Sequence, residues 1–101
     1  MTENELLGFF NISECERLFE TLYGHGAAER ERLRYNSLVK GISSLPGFTA
    51  AGDLRVFSAP GRTELGGNHT DHNRGRVLAA SIQMDAVAVV SPRGDRRVFF
   101  R

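Results

Sequence analysis

The sequence predicts an α+β fold, two N-terminal helices followed by a mixed or antiparallel sheet portion, and three observations predict it. Apolar residues recur at helical spacing before residue 45, the period shortens to that of extended chain after Asp53, and a stretch rich in Gly, Pro and Ala separates the two. With 101 residues there is room for one modest core. A hydrophobic fraction of 41% and a charged fraction of 25% are those of a globular chain, not of a disordered one.

The first helix is expected over residues 14–23. Ser13-Glu14-Cys15-Glu16 reads as a capping box, Cys15, Leu18, Phe19 and Leu22 fall on one stripe, and Gly24 suits a helix end. The second is expected from about Ala27 to Lys40, with Ala28, Tyr35, Leu38, Val39 and Ile42 on its apolar side. Its opening run Glu29-Arg30-Glu31-Arg32 mixes signs and reads as a solvated face. Gly41 and Pro46-Gly47 end it, and Leu45 to Asp53 is a connection, so residues 1–50 form a helical segment and 51–101 a second region.

Within that region Leu54-Arg55-Val56-Phe57-Ser58-Ala59 alternates as a strand does. Asp85-Ala86-Val87-Ala88-Val89-Val90 suits a buried strand. Pro92-Arg93-Gly94-Asp95 signals a turn, and Arg97-Val98-Phe99-Phe100-Arg101 reads as a strand making a hairpin with 85–90. A strand edge left open there is a template for pairing, so the natural polypeptide is expected to continue past Arg101 and this piece to self-associate through that edge. Arg93, Arg96, Arg97 and Arg101 then form a solvated hairpin edge.

Thirteen Lys plus Arg against twelve Asp plus Glu leave a net charge of +1, which points to neither nucleic acid nor an anionic membrane. Cys15 is the single cysteine, which suits a reducing interior, and it is read as a buried, inert thiol. No apolar run approaches a membrane span, and Met1-Thr2-Glu3-Asn4-Glu5 is acidic where a secretion signal is basic. The expected location is the cytoplasm. His25, between Gly24 and Gly26, reads as an exposed loop residue, and Phe9 and Phe10 as docking residues.

The polar chemistry concentrates in Ala59-Pro60-Gly61-Arg62-Thr63-Glu64-Leu65-Gly66-Gly67-Asn68-His69-Thr70-Asp71-His72-Asn73-Arg74-Gly75. Such a stretch is not core, and it is expected as a loop between the extended regions. Its glycines allow close backbone approach, while Arg62, Asn68, His69 and Asp71 offer the donors and acceptors that a polyhydroxylated ligand needs. Asp71 can accept two hydroxyls, and Arg62 can hold charge on a transferring phosphoryl group. Two other readings stand beside this one. His69, Asp71 and His72 are also metal-ligand types, although neighbouring turn positions rarely aim at one ion, and the stretch could be a structural polar turn.

The run Gly61 to Asn73 resembles the galactokinase signature Gly-Arg-Val-Asn-Leu-Ile-Gly-Glu-His-Thr-Asp-Tyr-Asn, identical at eight of its thirteen positions. Val77-Leu78-Ala79-Ala80-Ser81-Ile82 is similar to the Val-Leu-Pro-x-Ala-Ile that follows, and Ser58-Ala59-Pro60 also fits. Galactokinases are GHMP-superfamily sugar kinases, so the resemblance implies the N-terminal piece of a GHMP-kinase-like domain starting in residues 51–101. It implies transfer of the γ-phosphoryl group of ATP, with Mg2+, to the anomeric hydroxyl of galactose or a relative. Arg62 then matches the arginine beside the reacting hydroxyl, a catalytic role, and His69 and Asp71 match sugar-binding residues. Positioning and a nearby cation are what such chemistry asks of a protein.

Glu64 stands where the motif has asparagine and Asn68 where it has an acid, an exchange that implies proximity and keeps both in the sugar site. His72 replaces tyrosine there, and Gly66 replaces isoleucine. The phosphate loop Pro-x-x-x-Gly-Leu-Ser-Ser-Ser of the superfamily is absent from these residues, and its catalytic aspartate lies later. No residue is therefore expected to hold ATP, Mg2+ or another metal, and residues 1–101 alone are expected to be inactive. The rival from another class is a stand-alone sugar-binding or regulatory module.

Overall fold

The computed structural model describes residues 1–49, 52–67 and 70–101, with Asp71 in its backbone alone. Element order is α1 (Glu3–Phe9), α2 (Ser13–Tyr23), α3 (Ala28–Ile42), β1 (Arg55–Gly66), a short 3-10 helix (Thr70–Asn73) and β2 (Leu78–Val90). The architecture is α+β, with one two-stranded antiparallel sheet of order β1-β2 among the described residues. Two units make up the chain. One comprises residues 1–57 and 88–101, the other residues 58–87.

The first unit has a helix that the sequence reading did not expect. Thr2 caps α1 with its hydroxyl, accepting from the Glu5 amide at 3.4 Å, while the Glu5 carboxylate accepts from the Thr2 amide at 2.8 Å. That reciprocal box satisfies two otherwise orphaned donors. The box expected at Ser13 does not form. The Cys15 and Glu16 amides both bond the Ile12 carbonyl, at 3.1 and 3.2 Å, so the cap falls on Ile12 and Ser13 is already helical. The turn closing α1 places Ile12 in extended conformation one residue early.

The core of this unit gathers Leu6, Phe10, Cys15, Phe19, Tyr35, Val39, Ile42 and Leu54. Phe19 packs on Tyr35 with ring centroids 4.9 Å apart, Phe10 on Tyr35 at 5.6 Å, and the Tyr23 and Tyr35 hydroxyls meet at 2.5 Å. These rings supply large buried area and a satisfied polar pair inside it. Of the stripe expected on α2, Cys15 and Phe19 are buried, whereas Leu18 and Leu22 are 46% and 54% exposed. The run 29–32 is solvated except at Glu31, which is buried and held by Arg30 at 2.8 Å and Arg34 at 3.1 Å. Burial pushes the Cys15 thiol up, which keeps it un-ionised. His25 is exposed in a turn.

The N-terminus is fastened to the start of β1. The Met1 ammonium bonds Asp53 at 2.6 Å, and the Leu54 amide bonds the Met1 carbonyl at 2.7 Å, over a Leu54 side chain that is 2% exposed. The strand expected at 97–101 is not formed. Arg93 instead bonds Asp95 at 2.6 and 2.8 Å and the Pro46 carbonyl at 2.8 Å, and lies 4.7 Å from the centre of the Phe99 ring. These ties commit the segment to the turn after α3 and leave it without a ladder. The basic patch is correspondingly no hairpin edge: Arg93 is paired, and Arg101 bonds the Ser44 hydroxyl at 3.1 Å.

Candidate functional site

The site belongs to the unit 58–87, and its strands are longer than the sequence suggested. The stretch expected as a loop enters the sheet, with β1 running through Pro60, Arg62 and Glu64 to Gly66. Pro60 lies within β1, an edge strand, where a proline nitrogen turned away from the partner strand is tolerated. Gly61 has a stricter role. A Cβ there would stand 2.7 Å from the Met84 carbonyl oxygen and 3.2 Å from Ile82 Cγ1, so the facing strand needs the missing side chain.

Contacts along the ladder show which residues share a face. Ser58 Oγ donates to Asp85 Oδ2 at 2.5 Å, a Cβ on Gly61 would meet the Met84 carbonyl and the Ile82 side chain, and Gly67 lies against Arg76 and Val77. Ser58 and Asp85 lie on one face, and the Gly61 position and Ile82 on the other. Facing residues share a face and alternate residues change face. Ser58, Arg62 and Glu64 of β1 therefore share a polar face with Ala79, Ser81, Gln83 and Asp85 of β2. Leu65, Leu78, Ile82 and Met84 take the opposite face and are 37% to 72% exposed.

The connection between the strands is held by Thr70. Its amide bonds the Gly67 carbonyl at 2.9 Å, its carbonyl accepts from Gly75 at 2.7 Å, and its hydroxyl donates to the Arg76 carbonyl at 3.2 Å. Gly67 has φ 97°, and a Cβ on it would stand 2.9 Å from Val77 Cα. A Cβ on Gly75 would meet Thr70 Cβ at 2.5 Å. Both positions thus require glycine, one for its torsion and both for space. Thr70 is a structural residue whose importance the sequence reading passed over, although it sits between two glycines at close range in sequence.

Arg62 and Glu64 are brought together on one strand face, both exposed. His72 is exposed on the 3-10 turn with the Asp71 backbone. Asn68, His69 and the Asp71 side chain lie outside the described residues, and with them the expected Glu64–Asn68 proximity and the metal reading of 69–72. Among the described residues no three His, Cys, Asp or Glu side chains are grouped to hold a metal ion, and no helix is long and apolar enough to cross a membrane. A strand face carrying a guanidinium, a carboxylate and hydroxyls can hydrogen-bond a polyhydroxylated neutral ligand from several directions.

Comparison with known proteins agrees with this location. Residues 48–92 match the family model described as the galactokinase galactose-binding signature. The chain is 52% identical over 48 residues to a galactokinase of Bos taurus and 50% identical over 48 residues to one of Homo sapiens, 48% of this chain and 12% of each relative. A galactokinase of Bacillus subtilis (strain 168) is 48% identical over 42 residues, 42% of this chain and 11% of the relative. The matched stretch is thus about an eighth of the length of these relatives. No solved structure matches.

Proposed function

Residues 48–92 carry the galactokinase galactose-binding signature, and from that premise we propose that the chain is the N-terminal part of a galactokinase-like, ATP-dependent sugar kinase. Its substrate is galactose or a close relative, phosphorylated at the anomeric hydroxyl, and residues 51–101 begin the sugar-binding domain behind the helical segment 1–50. The observation that carries the reading is the shared face of Arg62 and Glu64, continued by a glycine-fastened turn that bears Asp71 and His72.

Arg62 stands beside the reacting hydroxyl and offsets the negative charge that grows during transfer, a group fixed in place before the reaction begins. Glu64, Asn68, His69, Asp71 and His72 bind sugar hydroxyls and orient the ring, which lowers the entropic cost of reaching a reactive geometry. ATP supplies the phosphoryl group and Mg2+ neutralises its charge in the whole enzyme. The described residues do not fit either. Helix N-termini are the usual phosphate cradles, yet the first turns here carry Glu3 and Glu5, Glu14 and Glu16, and Glu29 and Glu31. Residues 1–101 are accordingly a sugar site without turnover. A single, buried cysteine supports a reducing cytoplasmic location, and the open edges of β1 and β2 support self-association.

Titration of the chain with galactose, followed by amide chemical shifts, tests the reading. Saturable shifts confined to residues 58–87, weakened at least fivefold by Arg62→Ala, are expected; no saturable shift in that region would overturn it. Glu64→Asn, Asn68→Glu and the double variant should be non-additive in the same titration if acid and amide are neighbours. Galactose-dependent ADP release from a preparation free of host kinase would refute the inactivity of this chain.

A further inference from the structure

We propose that the Thr70 hydroxyl is a clasp that fixes the backbone carrying Asp71 and His72 for sugar binding, a positioning role that rests on the sugar-site reading above. Thr70 uses all of its polar groups across one turn: its amide donates to the Gly67 carbonyl at 2.9 Å, its carbonyl accepts from the Gly75 amide at 2.7 Å, and its hydroxyl donates to the Arg76 carbonyl at 3.2 Å. The first two are backbone bonds, which do not depend on the side chain. Only the third is set by the identity of the residue. It joins positions 70 and 76, so the 3-10 turn Thr70–Asn73 is pinned at its start to the backbone just ahead of β2. Asp71 and His72 are the next two residues along that turn.

Two features show that this conformation is imposed. Arg74 has φ 62°, in the left-handed region that a bulky residue adopts only where its surroundings hold it there. Gly75 comes so close to Thr70 that a Cβ on it would stand 2.5 Å from Thr70 Cβ and 2.6 Å from the hydroxyl oxygen. The turn is thus closed against a torsional preference, and the hydroxyl bond is one of the contacts that keep it closed. A neutral sugar is held through several hydroxyls at once, so a turn that opens costs it more than one contact. Sugar affinity then follows the fraction of molecules whose turn is closed. Serine keeps the bond at position 70, whereas valine, which has the branched shape of threonine, removes it and leaves the Arg76 carbonyl to water.

Galactose titration of the chain, read by amide shifts, is the experiment, with Thr70→Val, Thr70→Ser, Arg62→Ala and Thr21→Val compared with the parent. Thr70→Val is expected to weaken binding about three- to tenfold, the range of one neutral hydrogen bond. The Asp71 and His72 amides should be displaced in free Thr70→Val and return to the parent's positions at saturating galactose, while the protected amides of β1 and β2 exchange as before. Thr70→Ser, which keeps the hydroxyl, should stay within about twofold of the parent. Thr21→Val removes a like bond, from the hydroxyl to the Arg17 carbonyl at 2.8 Å in α2, and should leave binding unchanged. Thr70→Val equal to the parent while Arg62→Ala is weakened would remove the clasp and leave the sugar site standing. Equal loss in Thr70→Val and Thr70→Ser, or faster exchange along both strands in Thr70→Val, would show packing or hairpin stability in place of positioning and also overturn the role. Loss in Thr21→Val equal to that in Thr70→Val would do the same. Absence of galactose binding in the parent would take both readings together.

Discussion

The helical unit and the hairpin unit of this chain are held by different means. In residues 1–57 and 88–101, stability comes from side chains: Phe10, Phe19 and Tyr35 interlock, Val39 is fully buried, and Met1 and Arg93 tie distant backbone together. In residues 58–87 the apolar side chains of the hairpin stay largely open, and what fixes the geometry is backbone pairing and the Thr70 turn. Burial at about 25 cal/mol per Å² rewards the first arrangement far more than the second. The site therefore sits on the less buttressed unit, where torsion and register place the side chains.

The sharpest break of that comparison is in the core. Phe19→Ala should cost about 3–5 kcal/mol, enough to abolish the helical dichroism of so small a chain, while Met84→Ala, 72% exposed in its parent state, should stay within about 0.5 kcal/mol. Denaturant titration measures both, and equal costs would mean that the two units share one core.

A smaller effect separates the units the other way. Gly67→Ala places a side chain at φ 97° against Val77, so local opening of the hairpin ends should become easier by about 2 kcal/mol while the helices keep their protection. Amide hydrogen exchange of residues 63–66 and 77–80 reads this. Unchanged exchange there would remove the turn as the organiser of the site.

The smallest effect is electrostatic and confined to the first unit. The hydrogen bonds from Arg93 hold the Asp95 carboxyl down to about 2 from the ordinary 3.8. A folded value below the unfolded one contributes stability that is fully present above 3.8 and lost as pH falls toward about 2. Carboxyl carbon shifts should give Asp95 a midpoint near 2, and the Arg93 side-chain shifts should move with it. A midpoint at the ordinary value would show that the guanidinium does not hold the carboxylate in solution.

Much of this was legible in the sequence because local rules agreed. The helices at Ser13–Tyr23 and Ala28–Ile42 follow from apolar spacing and from Gly24, and the signature segment marked the stretch that the galactose-binding family model matches. The Thr2-x-x-Glu5 box was equally readable as a helix start, and the attraction of the longer α2 pattern hid it. Pro60 and the glycines misled in the other direction, since breakers usually mark loops. Among the described residues β1 has one neighbouring strand, so its outer edge tolerates such residues, and Arg62-x-Glu64 and Ser81-x-Gln83-x-Asp85 reveal the alternation once extended backbone is assumed.

Composition, spacing and the identity of single residues determined by themselves that the chain is α+β and that its densest polar stretch lies between Gly61 and Asn73. These are properties of neighbouring residues, and short-range torsional and amphipathic preferences suffice to express them. Tertiary structure alone decided that β1 pairs with β2 in place of the last segment, that Ser58 meets Asp85, and that Arg93 is spent on Pro46 and Asp95. Pairing partners across the chain compete through register, burial and long-range ties, and no local pattern records which of them wins.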